Sequence, residues 1–408
     1  MLLGNNCVSE GRHQILRQTL TRGRMCSATP LGRGCTLPRI GKATTMRRRE
    51  LLIGAGSWAT GATSNFPAPA IAQGIRELKM ATAWPKDTPG LATGAERLAR
   101  TITKMTDGRL TVTVYPGNSL VPPFEAFDAV GAGVVDLYHS NEQYFESKTR
   151  ALNFVSAVPY GLNANELSSW LHSGGGQALW DEINAPFGVK PLLAGNAGVQ
   201  MGGWFTKEIT GPEDFRGLRY RMPGLGAEVL RRMGAIVVSL PGGEIVGALQ
   251  SGAIDASEWV SPWLDTALGL DKAASYYYYP GFHEPGTGIS LGVNKRLWEG
   301  LTPFDRGIIE AAATAEVTTM LAEFNAGNAK ALKALRKNQS VKILRFDDKL
   351  ITTFGKFTRE VLADVAGNDA LTRKVYESYM TFLADIMDWE EVAEHAYLDS
   401  RRLALSAM

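Results

Sequence analysis

Cysteine is missing from most of this chain. The 408 residues include three cysteines, and Cys7, Cys26 and Cys35 all precede residue 46. The remaining sequence therefore offers no thiol for a disulfide, for a catalytic nucleophile or for a thiolate metal site. Histidine is also scarce after residue 72, and no two histidines there stand at a spacing typical of metal ligands. These histidines are His139, His172, His283 and His395.

Long apolar runs and several catalytic motifs are absent too. No stretch of 18 or more apolar residues follows the N-terminal region, so the sequence predicts no membrane-spanning helix there. It contains no His-Glu-x-x-His, no Walker loop and no Gly-x-Gly-x-x-Gly after a predicted strand. Zinc peptidases, P-loop nucleotide-binding proteins and dinucleotide-binding enzymes carry these motifs. We therefore predict that the protein is not an enzyme.

Charge is unevenly distributed. The composition, with 45% apolar and 21% charged residues, is that of a globular protein, and the length suggests two or three domains of roughly 150 residues. Residues 1–72 carry ten of the 43 Lys and Arg residues but two acids, which leaves a net charge of −6 on residues 73–408. A mildly acidic body gives no electrostatic reason to expect a nucleic acid or an anionic membrane as partner.

The basic N-terminal region reads as an export signal. Arg48 and Arg49 precede a weakly apolar, Gly-rich run, and Ala70-Ile-Ala72 provides a small-x-small cleavage site. We predict a twin-arginine signal at 46–72, with an ordinary Sec signal as the alternative. Residues 1–45 read as an upstream extension, and cleavage after Ala72 would release a periplasmic or extracellular protein.

Strands and helices alternate in the body, which predicts an α/β protein. The pattern predicts strands at 78–84 and 110–115 and a helix at 94–106 between them. It further predicts one helix over 166–182, a strand pair within 192–205, and a long helix at 303–336. Residues 346–408 read as two or three more helices.

One segment pattern occurs twice. Pro116-Gly117 and Pro241-Gly242 each precede a short helix, a glycine and a short apolar strand with an aspartate. The copies end at Tyr138-His139 and at Ser257-Glu258, about 120 residues apart. Two lobes of like topology are predicted, with a ligand cleft between them at the carboxyl ends of the strands.

Arg221 is the first candidate for that cleft. It ends a predicted strand on which Arg219 faces the same way. Burying a guanidinium at the end of a strand costs roughly several kcal/mol unless an anion pairs with it. The planar guanidinium can bind a carboxylate through two parallel hydrogen bonds. The alternative is an internal salt bridge with Glu213 or Glu228.

Oxygen-bearing residues suggest a cation at the same place. Glu258 ends the second repeated strand. A carboxylate beside an anion-binding arginine would repel the anion unless a cation lies between Glu258 and the anion. Gln200 offers a neutral oxygen, and oxygen-only ligation suits Na⁺ or Ca²⁺; the alternative for Gln200 is a hydrogen-bonded strand residue. Tyr138-His139 would face the same cleft from the other lobe, and Glu284 is a further candidate or an ordinary loop residue.

These residues resemble the DctP-type extracytoplasmic receptors of TRAP (tripartite ATP-independent periplasmic) transporters, in particular the branch that binds α-keto acids. The resemblance spans about residues 77–400. The motifs that carry it are Gly198-Val-Gln-Met-Gly-Gly-Trp204, Arg216-Gly-Leu-Arg-Tyr-Arg221-Met-Pro-Gly224, Pro241-Gly-Gly-Glu244, Gly252-Ala-Ile-Asp-Ala-Ser-Glu-Trp259 and Tyr276-Tyr-Tyr-Tyr-Pro-Gly-Phe-His-Glu-Pro-Gly286.

The resemblance implies a two-lobed Venus-flytrap fold with a long hinge-spanning helix and a helical C-terminus. Lobe I would comprise 73–198 and about 287–330, and lobe II 199–286 and about 331–408. It also implies capture of a small 2-oxo acid such as pyruvate, delivery to DctQ- and DctM-type membrane subunits, and a homodimer through the C-terminal helices.

The resemblance also implies roles for the candidate residues. Arg221 would pair with the ligand carboxylate, while Gln200, Glu258 and the Trp259 carbonyl would hold a bridging Na⁺. Tyr138 and His139 would line the other lobe. A related branch binds lactate through Ca²⁺, which leaves a 2-hydroxy acid open. A periplasmic enzyme using His139 or Glu258 and a solute-sensing subunit are the remaining alternatives.

Overall fold

The computed structural model describes residues 74–408. The predicted signal at 46–72 and the upstream extension at 1–45 lie outside the described residues. Among the described helices, none combines the length and the apolar character that crossing a bilayer requires.

The strands of the described region form two separate sheets. They are β1 (Arg76–Thr82), β2 (Leu110–Tyr115), β3 (Leu137–Ser140), β4 (Val189–Asn196), β5 (Gly203–Phe205), β6 (Arg219–Arg221), β7 (Ile236–Val238), β8 (Ala256–Ser257), β9 (Tyr276–Tyr279), β10 (Gly288–Asn294) and β11 (Lys342–Arg345). The first sheet has the order β2-β1-β3-β10-β4, and the second has the order β11-β9-β5-β8-β6-β7. The prediction of an α/β fold is confirmed.

The helices flank both sheets and then continue to the C-terminus. They are α1 (Leu91–Met105), α2 (Ala126–Gly131), α3 (Ala164–Ser173), α4 (Gly176–Asn184), α5 (Gly224–Arg232), α6 (Ile245–Gln250), α7 (Pro262–Leu268), α8 (Lys295–Gly300), α9 (Pro303–Leu335), α10 (Asp348–Ala366), α11 (Ala370–Val392) and α12 (Glu394–Ser406). The long helix α9 begins at Pro303, as predicted, with the side chain of Thr302 capping it.

Helix α9 links the two sheets. It packs on β4 of the first sheet and on α7, which follows β8 of the second sheet. At the latter contact, the Trp263 ring meets the Phe324 ring edge to face, with centroids 5.5 Å apart. A Cβ at Gly327 would lie 2.5 Å from the Trp263 ring, so glycine permits this close approach.

The repeated segment is present in both sheets and serves the same structural purpose. In the first sheet, Asp136 accepts a hydrogen bond from the backbone N–H of Lys79 on β1, at 2.8 Å. In the second sheet, Asp255 accepts one from the backbone N–H of Arg219 on β6, at 3.0 Å. In each case the aspartate lies just before a strand that pairs in parallel with its partner, β3 with β1 and β8 with β6.

Two predicted elements were wrong. The single helix over 166–182 is two helices, α3 and α4, because the chain turns at Gly174 and Gly175, and Gly175 has a left-handed φ of 85°. The expected strand pair within 192–205 does not exist, since β4 pairs with β10 whereas β5 pairs with β8 and β9. The glycines between β4 and β5 carry the chain from one sheet to the other.

The tyrosine strand β9 is buried on both faces. Tyr277 stacks on Trp204 with ring centroids 4.0 Å apart, and Tyr278, on the opposite face, stacks on Phe346 at 4.8 Å. Because aromatic residues cover both faces of the second sheet, the two central tyrosines are buried while Tyr279 is 41% exposed.

An ion pair with a buried carboxylate joins α1 to α9 and provides a test of the fold. Arg97 donates to Glu316 at 2.7 and 2.8 Å, and Glu316 is 3% exposed. The substitution Arg97→Met should lower the free energy of unfolding by about 2–3 kcal/mol, because it leaves a buried carboxylate unpaired. Urea denaturation measures this change. Arg100→Met, which breaks an exposed pair with Glu96, should cost less than about 1 kcal/mol; equal losses would contradict the argument.

Candidate functional site

The candidate site lies where strands of both sheets end. The parallel strands β1 and β3 of the first sheet, and β6 and β8 of the second, end next to a small enclosed cavity of about 10 Å³. That is about the space needed to hold one water molecule. The polar residues that line it are Asn141, Tyr144, Gln200, Glu258, Glu284 and Thr287, and the apolar residues are Trp84, Leu91, Ala197, Pro223, Trp259, Val260 and Ile289.

Arg221, the last residue of β6, forms a buried ion pair beside this cavity. Its side chain and that of Glu258 are both 1% exposed, and Nη1 donates to both the carboxylate and the backbone carbonyl of Glu258. Nε donates to the Leu240 carbonyl at 3.0 Å. An internal ion pair was one of the sequence alternatives, but its partner is Glu258, whereas Glu213 and Glu228 pair with other arginines.

Arg219 lies two residues earlier on the same strand and differs from Arg221 in its exposure to solvent. It forms a bidentate ion pair with Asp255, and its side chain is 43% exposed. Arg219 thus fixes the repeated aspartate at the protein surface, while Arg221 lies in the interior.

The surroundings keep the Arg221 guanidinium charged. Burial alone would lower the pKa of Arg221, but the Glu258 carboxylate and the Tyr144 hydroxyl raise it above its ordinary value. The guanidinium carbon also lies 5.5 Å from the centre of the Trp259 ring, a distance at which a cation interacts favourably with an aromatic face.

Glu284 connects three segments at the cavity. It accepts hydrogen bonds from Gln143 and Gln200, both at 2.7 Å, and from the Thr287 hydroxyl at 2.7 Å. Burial, and then the negative charge of Glu258, raise the pKa of Glu284 above its usual value. The Gln143 contact joins the turn after β3 to the segment after β9, so it links the strand ends of the two sheets.

Several buried polar atoms at the site have no hydrogen-bond partner within residues 74–408. The donors include Nη2 of Arg221 and Nε1 of Trp259, and the acceptors include Oε1 of Gln200 and Oε2 of Glu258. Unsatisfied buried polar atoms are rare because each costs about 1–3 kcal/mol. A guanidinium with a free N–H next to carboxylate and amide oxygens with free lone pairs suits an anion and a cation bound side by side.

Tyr138 is not part of this cavity, contrary to the prediction. It is fully buried, its ring packs against Phe127 and Phe145, and its hydroxyl donates to Glu142 at 2.5 Å. Consecutive residues of a strand face opposite ways, and both faces of β3 are buried. Tyr138 lies on the face that packs against Phe127 and Phe145, and it is not among the residues that line the cavity.

His139 lies one layer behind the cavity. Its Nδ1 accepts a hydrogen bond from the Trp84 indole N–H at 2.8 Å, and Trp84 lines the cavity. Burial lowers the pKa of His139 to about 4, so the ring is neutral and its own proton is on Nε2. His139 therefore orients Trp84 instead of lining the cavity as predicted.

The structure brings Gln200, Glu258, Trp259 and Glu284 together at one cavity, with Arg221 paired to Glu258. Their roles in binding stay predictions. Tyr144 was not predicted from the sequence. Its hydroxyl lies close to Arg221, and burial raises the pKa of Tyr144 to about 12, so the hydroxyl keeps its proton and can donate a hydrogen bond. Residues that directly follow a strand are the usual ligand contacts in α/β folds, and that rule would have pointed to the turn after β3, Glu142–Phe145.

A serine motif in β10 does not form a hydrolase site. Gly288-Ile-Ser290-Leu-Gly292 matches Gly-x-Ser-x-Gly, but in hydrolases that serine lies on an exposed turn between a strand and a helix. Here Ser290 lies within a strand, is fully buried, and donates to the Ser140 carbonyl at 2.9 Å.

A family model matches this architecture. Residues 80–368 match the DctP model, described as bacterial extracellular solute-binding protein, family 7. The chain belongs to this family. The predicted resemblance to DctP-type receptors is confirmed, and solute binding is the activity that the family description names.

A curated relative extends the comparison. A monocarboxylate 2-oxoacid-binding periplasmic protein of Nostoc is 38% identical to this family 7 chain over 358 residues, which cover 86% of the chain and 98% of that protein. A periplasmic C4-dicarboxylate-binding protein of Rhodobacter capsulatus is 26% identical over 70% of the chain and 84% of its own length. Similarity is thus greater to a receptor named for monocarboxylates.

Solved structures share the two-lobed fold. A TRAP solute-binding protein from Bordetella bronchiseptica, with calcium and picolinate at its active site, has a TM-score of 0.80 and 34% identity, covering 82% of this chain and 99% of that one. A TRAP periplasmic protein from Pseudoalteromonas atlantica, with bound sodium and pyruvate, has a TM-score of 0.78 and 34% identity, covering 80% and 99%. The predicted fold class is confirmed.

The buried Glu142 below the site yields a prediction about pH. Burial raises the pKa of the Glu142 carboxyl from its ordinary value of 4.5 to about 7. The folded state therefore binds the Glu142 proton more tightly than the unfolded state, and this contribution to stability is present below pH 4.5 and is lost as the pH rises through about 7. Glu142→Gln should remove this loss and, at pH 8, be more stable than the original protein by up to about 3 kcal/mol.

Urea denaturation from pH 4.5 to 8 measures this effect. The difference between the free energies of unfolding of the two proteins isolates Glu142, because the titration of His139 is common to both. A difference that does not change over this range would show that Glu142 is ionised in the folded state throughout.

Proposed function

We propose that this protein is the extracytoplasmic receptor of a TRAP transporter and captures a small 2-oxo monocarboxylate, such as pyruvate, together with a cation. The single observation that carries the proposal is the set of unpartnered atoms around the Arg221–Glu258 pair. The 2-oxoacid-binding relative and the sodium- and pyruvate-bound neighbour support the same ligand class.

Arg221 would bind the ligand carboxylate. Its Nη2 is buried and free to donate, and the Tyr144 hydroxyl lies close by as a second donor. A charge-assisted hydrogen bond of this kind contributes about 1.5–3 kcal/mol. The apolar Trp84, Leu91 and Ile289 would then face the short carbon chain of the acid.

Gln200 and Glu258 would hold the cation, with the Trp259 carbonyl as a further oxygen. The unpartnered Oε1 of Gln200 and Oε2 of Glu258 fit a hard ion such as Na⁺ or Ca²⁺. The ion would supply positive charge that binds the carboxylate and 2-oxo oxygens. Na⁺ and Ca²⁺ each occur with pyruvate in similar structures, the latter in a protein from Colwellia psychrerythraea.

Closure of the two lobes would provide the affinity. Pyruvate has six non-hydrogen atoms, so at about 1.5 kcal/mol per atom its binding free energy has a ceiling near 9 kcal/mol, or a Kd of roughly 0.3 μM. Approaching this value requires a dry site of low dielectric constant. We propose lobe I at 73–198 and about 287–330, and lobe II at 199–286 and about 331–408, with the closed form recognised by the membrane subunits.

Export and assembly complete the proposal. The periplasmic relatives support a periplasmic location, reached through the signal at 46–72, with the twin-arginine route favoured by Arg48-Arg49. Helices α11 and α12 would mediate a homodimer, since their exposed apolar side chains need a cover. These include Met387, Trp389, Val392, Tyr397, Leu398, Leu403 and Leu405, each at least 43% exposed.

A 2-hydroxy acid such as lactate, bound with Ca²⁺, is the second candidate. Two buried carboxylates, Glu258 and Glu284, are close together at the cavity, and this charge favours a divalent ion. A 2-hydroxy acid offers nearly the same oxygens to such an ion.

Substitution of Arg221 tests its carboxylate-binding role. Arg221→Ala should lower the affinity for pyruvate about 10- to 150-fold, because it removes a buried charge-assisted donor worth about 1.5–3 kcal/mol. Arg221→Lys keeps the positive charge but not the planar guanidinium, and its affinity for pyruvate should be at least tenfold lower than that of the original protein. Titration calorimetry with Na⁺ or Ca²⁺ present measures both, with circular dichroism to check folding.

Arg219→Ala is the matched control, since it alters an exposed ion pair on the same strand and should leave the affinity within about twofold. Unchanged affinity in both Arg221 variants would remove Arg221 from the binding site. An absence of heat with every 2-oxo and 2-hydroxy acid, in the original protein, would contradict the proposed function itself.

Substitution of Glu284 tests the proposed cation site. Glu284→Gln removes one negative charge near the proposed ion, and Coulomb energy scales with the charge of the ion. The affinity for Ca²⁺ should therefore fall by about the square of the factor by which the affinity for Na⁺ falls. Cation titrations at saturating pyruvate and pH 8 measure both. Glu244→Gln, an exposed control, should change neither, and equal factors for the two ions would place Glu284 outside the reach of the cation.

A further inference from the structure

An imidazole without hydrogen-bond partners lies beside the Arg221–Glu258 pair. His283 is 2% exposed, and within residues 74–408 neither its Nδ1 nor its Nε2 atom has a partner. A neutral imidazole has one N–H donor and one lone pair, and leaving both unsatisfied in the interior is destabilising. His283 therefore needs a partner that residues 74–408 do not provide.

Packing, not hydrogen bonding, fixes the ring. His283 follows β9, and its ring meets that of Phe282 edge to face with centroids 5.5 Å apart. Helix α5 approaches the same residue so closely that a Cβ at Gly226 would lie 2.7 Å from the His283 Cβ. The imidazole is thus held at one place with its nitrogens free.

Two carboxylates complete a potential ligand set. The Nε2 atom of His283 lies 3.6 Å from the unpartnered Oε2 of Glu258. Ligand atoms of Glu258, His283 and Glu284 all lie within 4.8 Å of one another, and all three residues are buried. Two ligand atoms at about 2.0–2.1 Å from an ion in tetrahedral geometry are about 3.4 Å apart. This is close to the 3.6 Å between Nε2 of His283 and Oε2 of Glu258.

We propose that Glu258, His283 and Glu284 form a binding site for a divalent transition-metal ion of the Zn²⁺ class. Oxygen donors alone suit Na⁺ or Ca²⁺, whereas an imidazole with carboxylates suits Zn²⁺, Co²⁺ or Ni²⁺. Oε1 of Glu258 is engaged by Arg221, but Oε2 is free. Glu284 accepts three hydrogen bonds, and a carboxylate with about four lone-pair sites retains one.

This site goes beyond the proposed function and competes with it. Both the transition-metal site and the proposed Na⁺ or Ca²⁺ site use Oε2 of Glu258, so the two ions exclude each other. Zn²⁺ should therefore displace Ca²⁺ from the cleft. The metal site depends on the three side chains alone, and can be tested without any organic acid.

The test is metal binding to the full-length protein, with and without the imidazole. Zn²⁺ binding is measured by calorimetry, and Co²⁺ binding by the visible absorption of a low-coordinate Co²⁺–imidazole site. His283→Gln should weaken Zn²⁺ binding at this site at least 30-fold and abolish the Co²⁺ bands that depend on it, while Ca²⁺ affinity stays within threefold. His172→Gln, an exposed histidine on α3, is the control and should behave like the original protein.

Difference titrations isolate the site, because metal binding elsewhere, including at the three cysteines before residue 46, is the same in all variants. Zn²⁺ and Co²⁺ binding unchanged by His283→Gln, or no binding at all in the original protein, would overturn the inference. Either result would leave the proposed capture of a 2-oxo acid standing, since pyruvate is absent from this experiment.

Discussion

The whole site depends on the burial of one guanidinium at the end of a strand. Arg221 is fully buried at the end of β6, and taking such a charge out of water costs several kcal/mol, roughly, even after the surroundings relax. Glu258 offsets part of this cost. The pair is nevertheless incomplete, because each partner keeps an atom without a hydrogen bond within the described chain. Geometry that leaves both a donor and an acceptor free, side by side, favours a ligand that brings an anion and a cation together.

The repeated strand and helix segment explains why the charges lie on one side only. Asp136 and Asp255 fix the two copies by the same backbone contact, so the copies present equivalent positions to the cleft. In the second sheet that position leads into Glu258. In the first sheet it leads into His139, which burial keeps neutral and which orients Trp84. One lobe thus supplies charge and the other supplies a neutral wall, which matches a small acid with a charged end and a short apolar end.

The sequence predicted the charged half of the site better than the neutral half. Arg221 and Glu258 at strand ends, and Gln200 between β4 and β5, were expected to meet at one cleft, and the structure brings them together. Their roles in binding stay predictions. Tyr138 was assigned to the wrong side, because the sequence did not show that β3 is covered on both faces. Tyr144 was missed because it lies on a turn whose direction depends on tertiary contacts. The α/β layers and α9 followed from periodicity and capping, whereas the break at Gly174-Gly175 depends on local backbone geometry.

Charge balance also determines how the two proposed ligands depend on each other. The site contains one guanidinium and two carboxylates within a buried cluster, so a monocarboxylate entering alone would add to an existing negative charge. A cation entering alone would be attracted, but would lack the oxygens that the acid supplies. Each ligand therefore raises the affinity for the other by the same factor, as linkage requires. A receptor built in this way would close on the pair rather than on either partner, and its fully loaded form would arise where both are present.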